Sequence, residues 1–142
     1  MAQEIATVDE STGEIIDATP RTTRGLVNTL HPQSFEERKA AFNAVNNATS
    51  LDDMGEKHVS IIAIVQAPGV RADRNGGPDQ PCTNTTLVGA DGKGYFTQSE
   101  GIARSAYNLV ATFGVQWPEP LEVHVKKTQL ANKNTLKTLV VD

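Results

Sequence analysis

The spacing of apolar and polar positions changes several times along the chain, and each change marks an element. Phe35, Phe42 and Val45 fall near one face of a helix, with Ala41 and Ala48 beside them. Ser34-Phe35-Glu36-Glu37 forms a capping box, in which the serine hydroxyl and the Glu37 carboxylate each accept from an orphan amide. Asn46 and Asn47 are poor helix formers, so the spacing predicts a helix over about 34–47 that packs against a sheet, with Phe42 in the core. The period then changes. His58 to Val65 is β-branched and apolar on both faces, as in a central strand. Ala67 to Pro81 holds Pro68, Gly69, Gly76, Gly77, Pro78 and Pro81 and reads as a long loop. A second strand follows over Thr83–Gly89. The Asp91-Gly92 pair suits a hairpin turn, and Tyr95–Gln98 continues as a third strand.

Ser99 caps a second helix whose apolar stripe is Ile102, Ala106, Leu109, Val110 and Phe113, with Gly114 as its stop. Leu121–Lys126 alternates as a half-buried fourth strand, Asn132–Asn134 turns, and Thr135–Val141 is a fifth. After the first helix the order is β-β-β-α-β-β. That is a mainly β (α+β) domain with the element order of a five-stranded OB-like barrel and an added N-terminal helix. Other five-stranded α+β domains share this order.

Charge divides the chain. Residues 1–56 hold ten acids and four bases, and residues 57–142 hold seven acids and nine bases, within a net charge of −4. From Ala2 to Pro20 there are five acids, no base and no aromatic residue. That composition leans towards disorder, although Ile5–Val8 and Glu14–Ile16 flank the turn-forming Ser11-Thr12-Gly13 as a hairpin would. The expected division is a flexible acidic arm over 1–30 and an OB-like domain over 31–142. A single cysteine, Cys82, excludes an internal disulfide framework. No apolar run is long enough for a membrane span, and the first residues lack the basic and apolar regions of a secretory signal. The expected setting is the cytoplasm, away from membranes.

Catalytic chemistry finds little footing. His31, His58 and His124 are far apart and form no HxxxH or HxH pair, so no metal and no other cofactor is expected. The Gly89–Gly94 run lacks the GxxxxGK[ST] pattern and joins two strands, the wrong context for a phosphate cradle. Asp73 and Asp91 read as turn formers, so an enzyme pairing either with His58 or His124 is disfavoured. The remaining signal is distributed. Arg71, Arg74, Lys93, Lys126 and Lys133 could neutralise phosphates, while Tyr95 or Phe96, and Trp117, could stack bases. Adjacent strand residues face opposite sides, so one of Tyr95 and Phe96 belongs to the core. Core burial is the competing reading for Trp117 and Tyr107 as well. A non-catalytic structural or accessory assembly protein, using the barrel to bind another protein, is the rival to a nucleic-acid role. A homo-oligomer is compatible with either.

Three segments carry a resemblance: Phe42–Asn47 through Leu51; Pro68–Arg71 with Arg74-Asn75-Gly76 and Pro81-Cys82; and Asp91-Gly92-Lys93 with Tyr95–Gly101 and the helix around Ser105. Over roughly residues 35–141 the chain resembles the small single-stranded-DNA-binding proteins of tailed phages and mobile elements. The resemblance implies an OB-like fold, no catalytic activity and protection of single strands during replication. It departs where many such proteins carry an acidic C-terminal tail, because here the acidic stretch is N-terminal.

Overall fold

A computed structural model describes residues 6–9, 14–17, 26–54, 57–73 and 75–142. Its strands are β1 (Ala6–Asp9), β2 (Glu14–Asp17), β3 (Leu26–Val27), β4 (Thr49–Ser50), β5 (Val59–Arg71), β6 (Gln80–Gly89), β7 (Gly94–Thr97), β8 (Leu121–Gln129) and β9 (Thr135–Val141). Helix α1 (Phe35–Asn46) precedes β4, and α2 (Glu100–Phe113) lies between β7 and β8. The fold is mainly β and barrel-like, with α2 after the third of the five strands β5 to β9, in the chain order that the sequence pattern predicts.

The main sheet has six strands rather than five, in the order β4-β7-β6-β5-β8-β9. The additional strand is the two-residue β4, which pairs in parallel with β7 and is too short to show a sequence period. The sheet's two edges, β4 and β9, are bridged by side chains. Lys137 Nζ on β9 donates to Asp52 Oδ1, just after β4, at 2.8 Å. The first turn of α2 rests on β9, where a Cβ on Gly101 would lie 2.1 Å from the Lys137 carbonyl oxygen.

The long loop expected over Ala67–Pro81 is a correction. Pro68 and Gly69 lie inside β5 and Pro81 inside β6, in a ladder running from Ala63↔Val88 to Arg71↔Gln80. Proline is tolerated because this part of the ribbon has free edges: β8 covers β5 only at Val59–Ile61, and β7 covers β6 only at Thr85–Val88.

Each face of the sheet has its own core. On the inner face Ile61, Ile64, Leu87, Tyr95, Val123 and Val125 meet Ile102, Ala106, Leu109 and Val110 of α2. Gln66 is buried there and fully used: Nε2 donates to the Ala103 carbonyl at 2.9 Å and to Thr85 Oγ1 at 3.3 Å, and Oε1 accepts from the Val27 amide. On the outer face Ala63 and Val88 meet Ala44 of α1. A register shift between Ile61 and Ala63 puts the half-exposed Ile62 at a bulge, so apolar residues on either side of it serve opposite faces.

Helix α1 is capped as expected, with Ser34 Oγ accepting from the Glu37 amide at 3.1 Å; Glu37 reaches back to the amide of Gln33 at 2.7 Å. Its docking face differs from the expectation. Phe35 and Phe42 are 66% and 65% exposed, and the buried residue is Ala44. A Cβ on Gly94 would lie 1.9 Å from the Ala44 carbonyl oxygen, so α1 approaches β7 too closely for a phenyl ring between them.

Much of the expected acidic arm lies outside the described residues. β1 and β2 pair as the expected hairpin, Ala6↔Asp17 to Asp9↔Glu14, and β3 adds a third strand. Leu26, Val27 and Thr29 are buried. Thr29 is joined to Ile64 in both directions: its amide donates to the Ile64 carbonyl and its hydroxyl accepts from the Ile64 amide, each at 2.9 Å. No helix among the described residues is long and apolar enough to cross a membrane.

Candidate nucleic-acid interface

The outer face of β5, β6 and β7 is only partly covered by α1. Ladder pairing puts Val65, Thr86 and Phe96 in one row across the three strands. Alternation then sends Phe96 to the outer face, where it is half-buried, and Tyr95 to the inner core at 8% exposure. Phe96 is therefore the member of the pair available to a ligand. Beyond it runs a polar chain. Gln98 Nε2 donates to Asn84 Oδ1 at 3.0 Å and to the Val70 carbonyl at 3.3 Å. Arg71 Nη2 donates to the Gln98 carbonyl at 2.6 Å and stands 3.8 Å from Glu100. Arg71 is exposed and close to the Phe96 end of β7, but its guanidinium already has a structural contact and an acidic neighbour.

The other expected residues fall into separate groups. Arg74 lies outside the described residues. Lys93 is exposed in the β6–β7 turn. Its amide donates to Asp91 Oδ1 at 2.9 Å, and Tyr95 Oη donates to Asp91 Oδ2 at 3.0 Å. The bond from the Lys93 amide, joined by that from Tyr95, holds the Asp91 carboxyl below the usual carboxylate value against some desolvation. Burial, then the Asp91 contact, pushes the Tyr95 phenol up. Trp117 is half-buried, with Nε1 donating to the Gly114 carbonyl at 2.8 Å. It walls a groove of about 580 Å³ together with Ala40, Ala41 and Ala44 of α1, Ile62, and Gly92 beside Lys93. Trp117 and Gly92 of the Lys93 turn thus line the same groove.

Lys126 and Lys133 belong to the β8–β9 ribbon. Lys126 pairs with Thr138 and is exposed, and Lys133 adopts a φ of 70° in the connecting turn. In the sheet order β5 and β6 stand between this ribbon and β7, which carries Phe96. Lys127 stands opposite Lys137, and the Lys137–Asp52 pair offsets that like-charge repulsion.

Two features escaped the sequence reading. The solvent side of α1 carries Phe35, Arg38, Lys39 and Phe42 around a shallow depression, with Lys39 Nζ 4.8 Å from the Phe35 ring centroid. Their helical spacing was visible, but the spacing alone resembles that of a buried stripe. The second feature is that His58 and His124 meet at one carboxylate, Asp142, on the far side of the sheet from α2. Only strand register could show this.

A surface for unpaired nucleic acid needs π faces for the bases and positive charge for the phosphates, and exposed rings beside cations are groups of that kind. A family model described as Phage Single-stranded DNA-binding protein, of the Phi29 type, matches residues 22–142, and the chain belongs to that family. Its role is single-stranded DNA binding in phage DNA replication. Neither a curated protein nor a solved structure matches the chain.

Proposed function

We propose that residues 31–142 work as an OB-like barrel that coats and protects single-stranded DNA with little sequence preference and without a catalytic step, in the host cytoplasm. The acidic residues ahead of β3 act as an arm that β2 joins to β3. The observation that carries the binding mode is the pair of exposed phenyl rings, Phe35 and Phe42, framing Arg38 and Lys39 on α1. Such a surface stacks any base and discriminates little among them. Phe96 with Arg71 and Trp117 with Lys93 extend the path over the outer face, and Arg74, Lys126 and Lys133 add charge around it.

Fluorescence polarisation of a labelled oligothymidine at two salt concentrations, with a duplex of equal length as control, tests this reading. Tight, salt-sensitive binding to the single strand alone, with quenching of Trp117, is expected. Absence of binding at low salt overturns it. Replacing Arg71 and Arg74 together by Ala should flatten the slope of log affinity against log salt by ~0.7 for each phosphate no longer neutralised. An unchanged slope removes the β5–β6 connection from the interface.

A further inference from the structure

The sheet register assembles a cluster from three distant parts of the sequence. Val59 pairs with Val123, and Val123 with Val141. His58 precedes Val59 and His124 follows Val123, so the antiparallel ladder brings the two imidazoles side by side, with ring centroids 4.6 Å apart. Asp142 follows Val141, and its amide is held by the Glu122 carbonyl at 2.8 Å. The Asp142 carboxylate then bridges the rings: Oδ1 meets His124 Nδ1 at 2.8 Å, and Oδ2 meets His58 Nδ1. The three prospective ligand atoms all lie within 4.8 Å of one another.

We propose that His58, His124 and Asp142 form a binding site for a divalent transition-metal ion of the zinc class. Two imidazole nitrogens and one carboxylate oxygen are donors that such ions accept, and three protein ligands leave a further position open to water. Ligand bonds of ~2.0–2.1 Å in a tetrahedron put donor atoms roughly 3.3 Å apart. The His124–Asp142 separation is already shorter than that, so a small opening admits the ion. His58 is the most exposed of the three and precedes the strand, leaving its side chain room to adjust. His124 and Asp142 are fixed by the β8–β9 ladder. Glu122 on the same face of β8 adds negative charge beside the site. A bound ion would tie β5, β8 and β9 together where β9 forms the sheet edge.

The test is calorimetric titration of the chelator-treated full chain with Zn²⁺ alone, and of a second sample with Co²⁺ followed by visible absorption. One equivalent of Zn²⁺ per chain, a raised melting temperature and a Co²⁺ absorption band are expected. His124→Ala and Asp142→Asn should each abolish saturable binding while circular dichroism shows the fold retained. His31→Ala, at an exposed position away from the cluster, should bind as the parent does. No saturable binding of either ion to the parent overturns the proposal, as does undiminished binding in both cluster variants. The measurement contains no DNA, so its outcome is independent of the interface proposed above.

Discussion

The two helices begin alike and dock differently. Each has a serine cap and apolar residues at helical spacing. Helix α2 buries Ile102, Leu109 and Val110 with two alanines on the inner face, whereas α1 buries Ala44 and turns Phe35 and Phe42 to solvent. The difference originates in the sheet. Opposite α1 lies Gly94, where a Cβ would come 1.9 Å from the Ala44 carbonyl oxygen and 3.1 Å from Ala48 Cβ. A helix that approaches backbone to backbone can present only small residues. Helix α2 makes such a contact at Gly101 in its first turn and meets the sheet with large side chains elsewhere. Apolar spacing thus locates a helix, and a glycine opposite it selects the docking face.

The sharpest way to break this comparison is to truncate one large apolar residue on each helix. Leu109→Ala should lower the unfolding free energy by ~2–5 kcal/mol, as cavity-forming core truncations do. Phe42→Ala should change it by no more than ~0.5 kcal/mol, as expected at a surface position. Equal losses in urea denaturation would show that α1 docks through its phenyl face after all. Gly94→Ala comes next, with ~1–3 kcal/mol lost to overpacking. Its signature is local: hydrogen exchange should accelerate in α1 and stay slow in α2. Uniform acceleration would contradict the close approach as the cause.

These effects also show where sequence was a sufficient guide. Both caps, the Gly114 stop, the Asp91-Gly92 turn and the chain order of strands β5 to β9 around α2 depend on residues close together in the chain, and they could be read from it. The docking face of α1 depends on Gly94, some fifty residues away from Ala44. Pro68 and Pro81 suggested a loop because sequence does not show that β8 and β7 stop short of them. On the candidate interface, alternation showed that Tyr95 and Phe96 part company. The assignment of Phe96 to the outer face required the pairing with Thr86. The His58–His124–Asp142 cluster depends on register alone, and no spacing along the chain announces it.

Function sharpens the same contrast. If the exposed face of α1 stacks bases, Phe35→Ala and Phe42→Ala should each weaken oligothymidine binding by ~1–3 kcal/mol with little change in stability. Leu109→Ala should do the reverse at temperatures where it remains folded. Polarisation titrations of the three variants at one salt concentration separate these outcomes. Parent-like affinity in both phenylalanine variants would confine the interface to the sheet.

The smallest effect concerns Tyr95, whose ring belongs to the α2 core while its hydroxyl reaches Asp91 in the turn beside the α1 groove. Tyr95→Phe keeps the buried ring and should cost ~0.5–1.5 kcal/mol at neutral pH, the usual worth of one hydrogen bond. Its pH profile identifies the bond removed. The Asp91 carboxyl is depressed from 3.8, chiefly by the Lys93 amide, so its contribution is present above 3.8 and lost as pH falls through the lowered value. The Tyr95 phenol is raised from 10.0, first by burial and then by Asp91, so its contribution is present below 10.0 and lost as pH rises through the higher value. The phenylalanine variant should therefore lack the alkaline loss due to this group. It should keep a reduced acid loss, because the Lys93 amide still donates to Asp91. Thermal melts at about pH 3, 7 and 11 measure both limbs. An alkaline limb identical to that of the parent would show that the Tyr95 hydroxyl does not couple the inner core to the turn.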